Sequence, residues 1–299
     1  MSSSLTRPCA HEVELLEGDP PEYVLRDLAS APGLQIASLS IGGGVEAGGS
    51  NVAAPEDTRR QATADALVIA GIARRRRASW AGSSQRGSLP ERWQENDSAV
   101  TLFGAVEVGT GSVQHGITST NSQGDVVQFF SEDVYANLEP QPGQTHSVLR
   151  IDAIRFLLVL LHQLTKHQLL SVLPLLVRHL SADMYIVYTY AAITIGRILA
   201  LKRENRLLFS QADIHEAAPK LLNAVLAKIE KAGAPEKVAE NVHLMKCVMR
   251  VIVTARQTLM PVYQQTLERL VQVLGTISKN PSNPDFDQYI FESISAPIR

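Results

Sequence analysis

The chain has 299 residues, enough for one or two globular domains or for one extended array of repeats. Its 28 basic and 30 acidic residues nearly cancel, which argues against a polyelectrolyte such as nucleic acid as the main partner. Two cysteines, Cys9 and Cys247, lie far apart in sequence; they form no disulfide framework and fit a reducing nuclear or cytosolic setting.

The N-terminus, "MSSSLTRPCAHEVELLEG", lacks an apolar core of signal-peptide length. "PPEYVLRDL" (20–28) and "EDTRRQATADAL" (56–67) are short helix candidates inside a region that otherwise reads as linker. From Ala31 to Ser88, "IGGGVEAGGSNVAAP" is glycine-rich and "ARRRRASWAGSSQRGS" basic and serine-rich, and neither sustains an apolar period. This composition predicts poor order over 31–90, because it buries too little apolar surface to offset ordering entropy. "RRRRAS" (74–79) fits a nuclear-localisation patch or a phosphorylation site at Ser79, with a solvated linker as the plainer reading. "GTGS" (109–112) lacks the Gly-Lys-Ser/Thr of a phosphate cradle and reads as a turn.

From about residue 117 helical apolar patterns follow one another to the end, and they parse as four pairs. First helices are predicted near 124–138, 166–180, 213–230 and 259–278. Second helices are predicted near 146–162, 184–201, 237–257 and 286–299. Thr165 with Gln168, and Asp213 with Glu216, have capping-box spacing, and Asp285 is a candidate cap for the last helix. Pro174, Pro219 and Pro261 fall near the same point of three successive first helices, 45 and 42 residues apart, the period of HEAT-type helix pairs. A proline inside a helix removes one backbone hydrogen bond and bends it.

The second helices are apolar nearly all round, with one thin polar stripe each. The stripes are Asp152, Arg155 and His162; then Tyr190, Thr194 and Arg197; then Lys246, Arg250, Thr254 and Gln257. Such helices need cover on several sides, which stacking of repeats supplies while leaving one open face. The expectation is an all-α HEAT-repeat α-solenoid of antiparallel pairs, with Ile193, Ile195 and Leu199 buried and the stripes facing a concave surface. The most apolar segment, 184–201, carries Arg197 within barely enough length to span a bilayer, so it reads as a buried helix rather than a membrane span. The apolar series of 286–299 runs to the last residue, as in the second helix of a unit whose neighbour lies in a longer solenoid. Histidines and cysteines show no metal-ligand spacing, and no nucleophile elbow occurs, so no cofactor, metal or catalysis is expected.

Several stretches, in order, resemble one family. They are "HGITSTN" (115–121), "DVVQFF" (125–130), "VLRIDAIRFL" (148–157), "LLSVLPLLVRHL" (169–180), "VYTYAAITIGRIL" (187–199), "LMKCVMRVI" (244–252) and "SKNPSNPDFDQYIFESI" (278–294). "GDPPEYVLRDL", "EDTRRQATADAL" and "WQENDSAVTLF" look like earlier pieces of the same stretch. Together they are similar to the CAS-type exportins, importin-α re-exporters of the importin-β (karyopherin) superfamily. The resemblance is continuous over 93–299 and implies the central part of a HEAT solenoid that carries importin-α out of the nucleus with GTP-loaded Ran. It implies a monomer working in nucleus and cytoplasm, with no nucleic acid or membrane partner.

On this basis residues 1–92 are a divergent segment with remnants of one repeat, and 93–299 are the repeat array. Where the family moves to its next helices, this chain has glycine-rich and basic stretches that read like translated non-coding sequence, which implies impaired binding. The partner-contact candidates are Arg26, Asp27, Asp57, Arg59 and Arg60, from segments resembling the family's insertion-bearing repeat, and Arg155, Arg197, Lys246 and Arg250 from the stripes. The alternative is a HEAT scaffold or regulatory subunit of an unrelated complex.

Overall fold

The computed structural model describes residues 10–30, 130–139 and 147–296. The expected linker with its helix at 56–67, the RRRRAS patch and the GTGS turn lie outside the described residues. The chain divides into two compact units, Met1–Leu164 and Thr165–Arg299.

In the first unit, α1 (Ala10–Gly18) and α2 (Pro20–Ser30) pack on each other. A π-helical turn, Phe130–Val134, leads into the short α3 (Tyr135–Leu138), followed by α4 (Ser147–Leu160). α4 is buried almost all round, as its sequence requires. Ile151, Ile154 and Leu157 are 1% exposed or less. Phe130 stacks on Phe156 with ring centroids 6.4 Å apart, tying the π turn to α4.

The second unit contains α5 (Lys166–Leu180), α6 (Tyr185–Ala200), α7 (Gln211–Ile214), α8 (Ala218–Glu230), α9 (Pro235–Val238), α10 (Val242–Ala255), α11 (Met260–Ile277) and α12 (Pro284–Ser295). α5/α6, α8/α10 and α11/α12 form three successive antiparallel pairs. First helices α5, α8 and α11 neighbour one another in one layer, and second helices α6, α10 and α12 form the other. This is the two-layer stacking of a HEAT array, in which each unit buries the apolar face its neighbour cannot cover alone. Ile193, Ile195 and Leu199 are buried, as expected, with Met245, Val248 and Val251 of α10.

Side chains bond across the repeats. Lys228 of α8 donates to the Ala182 carbonyl at 2.6 Å and lies 4.7 Å from the Tyr188 ring centroid. Arg269 of α11 donates to both Glu230 oxygens, at 2.7 and 2.8 Å, and to Asn223 Oδ1 at 3.0 Å.

Several local expectations need correction. Thr165 and Gln168 form the expected capping box, Thr165 Oγ1 accepting from the Gln168 amide. The second box, however, is Ser210 with Asp213 rather than Asp213 with Glu216, so helix starts at Gln211 and breaks before α8. The last helix is capped by Asn283, whose Oδ1 accepts from the Phe286 amide at 3.3 Å, with Asp285 inside the first turn. Pro174 sits inside α5, but Pro219 and Pro261 occupy the first turns of α8 and α11. There no intrahelical donor is lost, so these two prolines start helices rather than bend them. The segment expected as one helix over 237–257 is divided into α9, α10 and a 3-10 turn, Arg256–Leu259.

The stripe of α6 also differs. Tyr190 and Thr194 are fully buried, and only Arg197 reaches the surface. Thr194 Oγ1 donates to the Tyr190 carbonyl at 2.8 Å, so its hydroxyl is satisfied within the helix and tolerates burial. One further element breaks the helical pattern, a two-stranded antiparallel hairpin of β1 (Lys202–Arg203) and β2 (Arg206–Leu207).

A candidate partner-binding ridge

The second-helix layer brings together a basic ridge. α6 contributes Arg197; α10 contributes His243, Lys246 and Arg250, spaced i, i+3 and i+7 and therefore on one face. α12 contributes Tyr289, with Asp285 and Glu292 one turn to either side. Lys246 Nζ lies 5.5 Å from the Tyr289 ring centroid, a cation–π contact between the last two repeats.

Burial is the largest influence on the charges of this group. Burial lowers the pKa of Lys246, and the neighbouring Arg250 and Arg197 lower it further, while Asp285 and Glu292 partly oppose them. Burial also lowers Arg197 and Arg250. His243, half-buried and beside Lys246 and Arg197, is pushed down to about 4, burial being the largest cause, so it is neutral at pH 7. Burial thus disfavours the charged form of all three cations, repulsion between them adds to this at Lys246, and Glu292 of α12 supports the charged forms of Lys246 and Arg250.

Of the nine candidate contacts, Arg197, Lys246 and Arg250 come together on this ridge. Arg155 lies in the first unit, where it pairs with Asp27 of α2 and lies 3.7 Å from Asp152 of α4. Two of the candidates thus bond to each other and join α2 to α4. Arg26 is exposed and bonds to Glu22 one turn earlier, at 2.6 Å. Asp57, Arg59 and Arg60 lie outside the described residues. Sequence reasoning missed His243 and Tyr289. His243 shares the spacing of the α10 stripe and was legible there; nothing local marks Tyr289, which joins only through stacking of α12 on α10. Among the described residues no group of three or more His, Cys, Asp or Glu is placed to hold a metal, and no helix is long and apolar enough to cross a membrane.

Comparison with known proteins places the fold. The Cse1 family model matches residues 83–195, and the model of the CAS/CSE protein C-terminus matches 196–299. The chain belongs to the CAS/CSE exportin family. The importin alpha re-exporter of Saccharomyces cerevisiae is 34% identical over 299 aligned residues, covering 95% of this chain and 28% of that protein. The importin-alpha re-exporter of Schizosaccharomyces pombe is 31% identical, covering 96% of this chain and 28% of its own length. Human exportin-2 is 30% identical over 208 residues, 69% of this chain and 21% of that one. A solved structure of the exportin Cse1 in its cargo-free, cytoplasmic state superposes with a TM-score of 0.71 at 30% identity, over 98% of this chain and 28% of that chain. The present chain therefore spans about 28% of the length of its yeast family members. These relatives are named as exporters, not as enzymes.

Proposed function

We propose that the chain acts as the central region of a nuclear export receptor for importin-α, moving between nucleus and cytoplasm and performing no catalysis. The basic ridge of α6, α10 and α12 holds an acidic surface of the partner, and GTP-loaded Ran is the second partner. The observation that carries this reading is the ridge itself: Arg197, Lys246 and Arg250, each disfavoured by burial, gathered on the second helices of two adjacent repeats of an exportin-family fold. Residues 93–299 are the repeat array that binds, and 1–92 carry a remnant of an earlier repeat in which Arg26, Asp57, Arg59 and Arg60 supply lesser contacts. The monomeric chain binds more weakly than the full-length relatives, since it presents a fraction of their surface.

The test is titration calorimetry of importin-α into the chain and into an Arg197→Ala/Lys246→Ala/Arg250→Ala variant. Removal of the three cations is expected to weaken binding at least tenfold, about 1.4 kcal/mol. A change smaller than twofold would remove the ridge from the interface.

A further inference from the structure

The pair α11/α12 carries two apolar surfaces, one buried and one open. On α11, Thr266, Leu270, Val273 and Ile277 are buried at i, i+4, i+7 and i+11. Met260, Leu267, Val271 and Leu274, at i, i+7, i+11 and i+14, form a second stripe about 100° round the helix axis. Met260 is 68% and Val271 54% exposed, and Leu267 and Leu274 are half-buried. On α12, Phe286, Ile290 and Ser293 are buried, while Phe291 is 57% exposed. Pro284, Asp287, Gln288, Phe291, Glu292 and Ile294 line a shallow concavity there.

Both open stripes face away from the preceding repeat. Arg269, which bonds back to Glu230 and Asn223 of α8, lies roughly half a turn round α11 from Val271. Tyr289, which meets Lys246 of α10, lies roughly half a turn round α12 from Phe291. The two stripes therefore belong to one surface, and its charge has one sign. α12 carries Asp285, Asp287 and Glu292 and no basic residue. Arg269, the one basic residue of α11, is taken up by Glu230. Glu268 borders the α11 stripe and accepts from Gln264 at 3.1 Å, and Glu292 accepts from Gln288 at 2.8 Å, bonds that leave both carboxylates charged. Among the described residues no cation pairs with Glu268 or Asp287.

We propose that this surface docks a basic amphipathic helix of a protein partner. The apolar stripe of that helix packs on Val271, Leu274, Phe291 and Ile294, and its Lys or Arg side chains meet Glu268, Asp287 and Glu292. An apolar patch with an acidic rim selects its occupant by sign, because an acidic helix sets carboxylate against carboxylate. A second copy docked through the same surface fails for that reason, since a two-fold contact brings two acidic rims together. The surface is distinct from the ridge, whose cations call for a partner of the opposite charge.

The experiment uses the full chain and a fluorescein-labelled octadecapeptide of Leu and Lys in amphipathic helical order, with affinity read by fluorescence anisotropy at physiological salt. The peptide should bind at least tenfold more tightly than its Leu/Glu counterpart. Val271→Ala/Phe291→Ala should weaken it at least tenfold with an unchanged melting temperature, because both side chains are exposed. Glu268→Gln/Asp287→Asn should weaken it at least threefold, an effect that fades in high salt. Arg197→Ala/Lys246→Ala/Arg250→Ala should not weaken it, so failure of the ridge and failure of this surface are read separately. Equal binding of the two peptides, or binding unaltered by Val271→Ala/Phe291→Ala, overturns the proposal. So does a dimer of the chain in sedimentation velocity that Val271→Ala/Phe291→Ala disperses, which would assign the surface to a second copy.

Discussion

Asn241 Nδ2 donates a hydrogen bond to Thr189 Oγ1 at 2.6 Å, joining the start of α10 to the first turns of α6 inside the repeat stack. Both residues are buried. Thr189 Oγ1 in turn donates to the Tyr185 carbonyl at 2.7 Å, so the hydroxyl is used in both directions. The next repeat does something related: Asn283, at the start of α12, donates to the Ala239 carbonyl at 2.9 Å. Asparagine at the entrance of successive second helices thus fixes each repeat to the one before it. Asn241→Ala should destabilise the chain by about 1–2 kcal/mol, since it removes a buried bond while Thr189 still donates to the Tyr185 carbonyl. Equilibrium urea unfolding measures this.

Ile193→Asp places a carboxylate in the interface between α6 and its neighbours. A loss of about 3–5 kcal/mol is expected, enough to unfold a repeat locally. Thermal melting of the variant at the wild-type temperature would show that Ile193 is not packed as described.

Arg256 closes α10 with φ 46° and ψ −122°, a region that glycine enters freely and side chains resist. Its side chain is exposed. Arg256→Gly should therefore stabilise the chain by about 1 kcal/mol, the relieved strain exceeding the extra entropy of an unfolded glycine. Differential scanning calorimetry should register a higher Tm.

His243 gives the fold a pH dependence of definite sign. Its folded pKa, about 4, lies below the ordinary imidazole value of about 6.5. As pH falls the unfolded chain takes up this proton first, so stability is full above about pH 6.5 and declines from there towards pH 4. His243→Gln should flatten that decline in urea midpoints measured between pH 7 and 4.5; an unchanged slope would place the titration elsewhere.

Coupling between partners is expected to be absent. Linkage needs two sites acting on one bistable structure, and this chain spans 28% of the length of the yeast re-exporters. GTP-loaded Ran should leave its affinity for importin-α unchanged. Calorimetry showing a tenfold gain, about 1.4 kcal/mol, would mean that these repeats carry the switch themselves.

The apolar period by itself determined the three helix pairs of the second unit and their order, because second helices such as 184–201 are too apolar for any exposed arrangement. The Thr165–Gln168 box was equally legible, since a cap is a contact three residues long. What one-dimensional polarity misjudged was the inside of those helices. Thr194, Thr254 and Ser293 look like surface positions, yet each is buried with its hydroxyl bonded to the carbonyl four residues earlier. Capping at 210–213 was displaced because Ser210 offers both its amide and its hydroxyl to Asp213, which Glu216 cannot match. The pairing of Arg155 with Asp27 and the meeting of Lys246 with Tyr289 were decided only by tertiary structure. Each joins positions whose proximity depends on how helices stack, and no local preference in the chain encodes that distance.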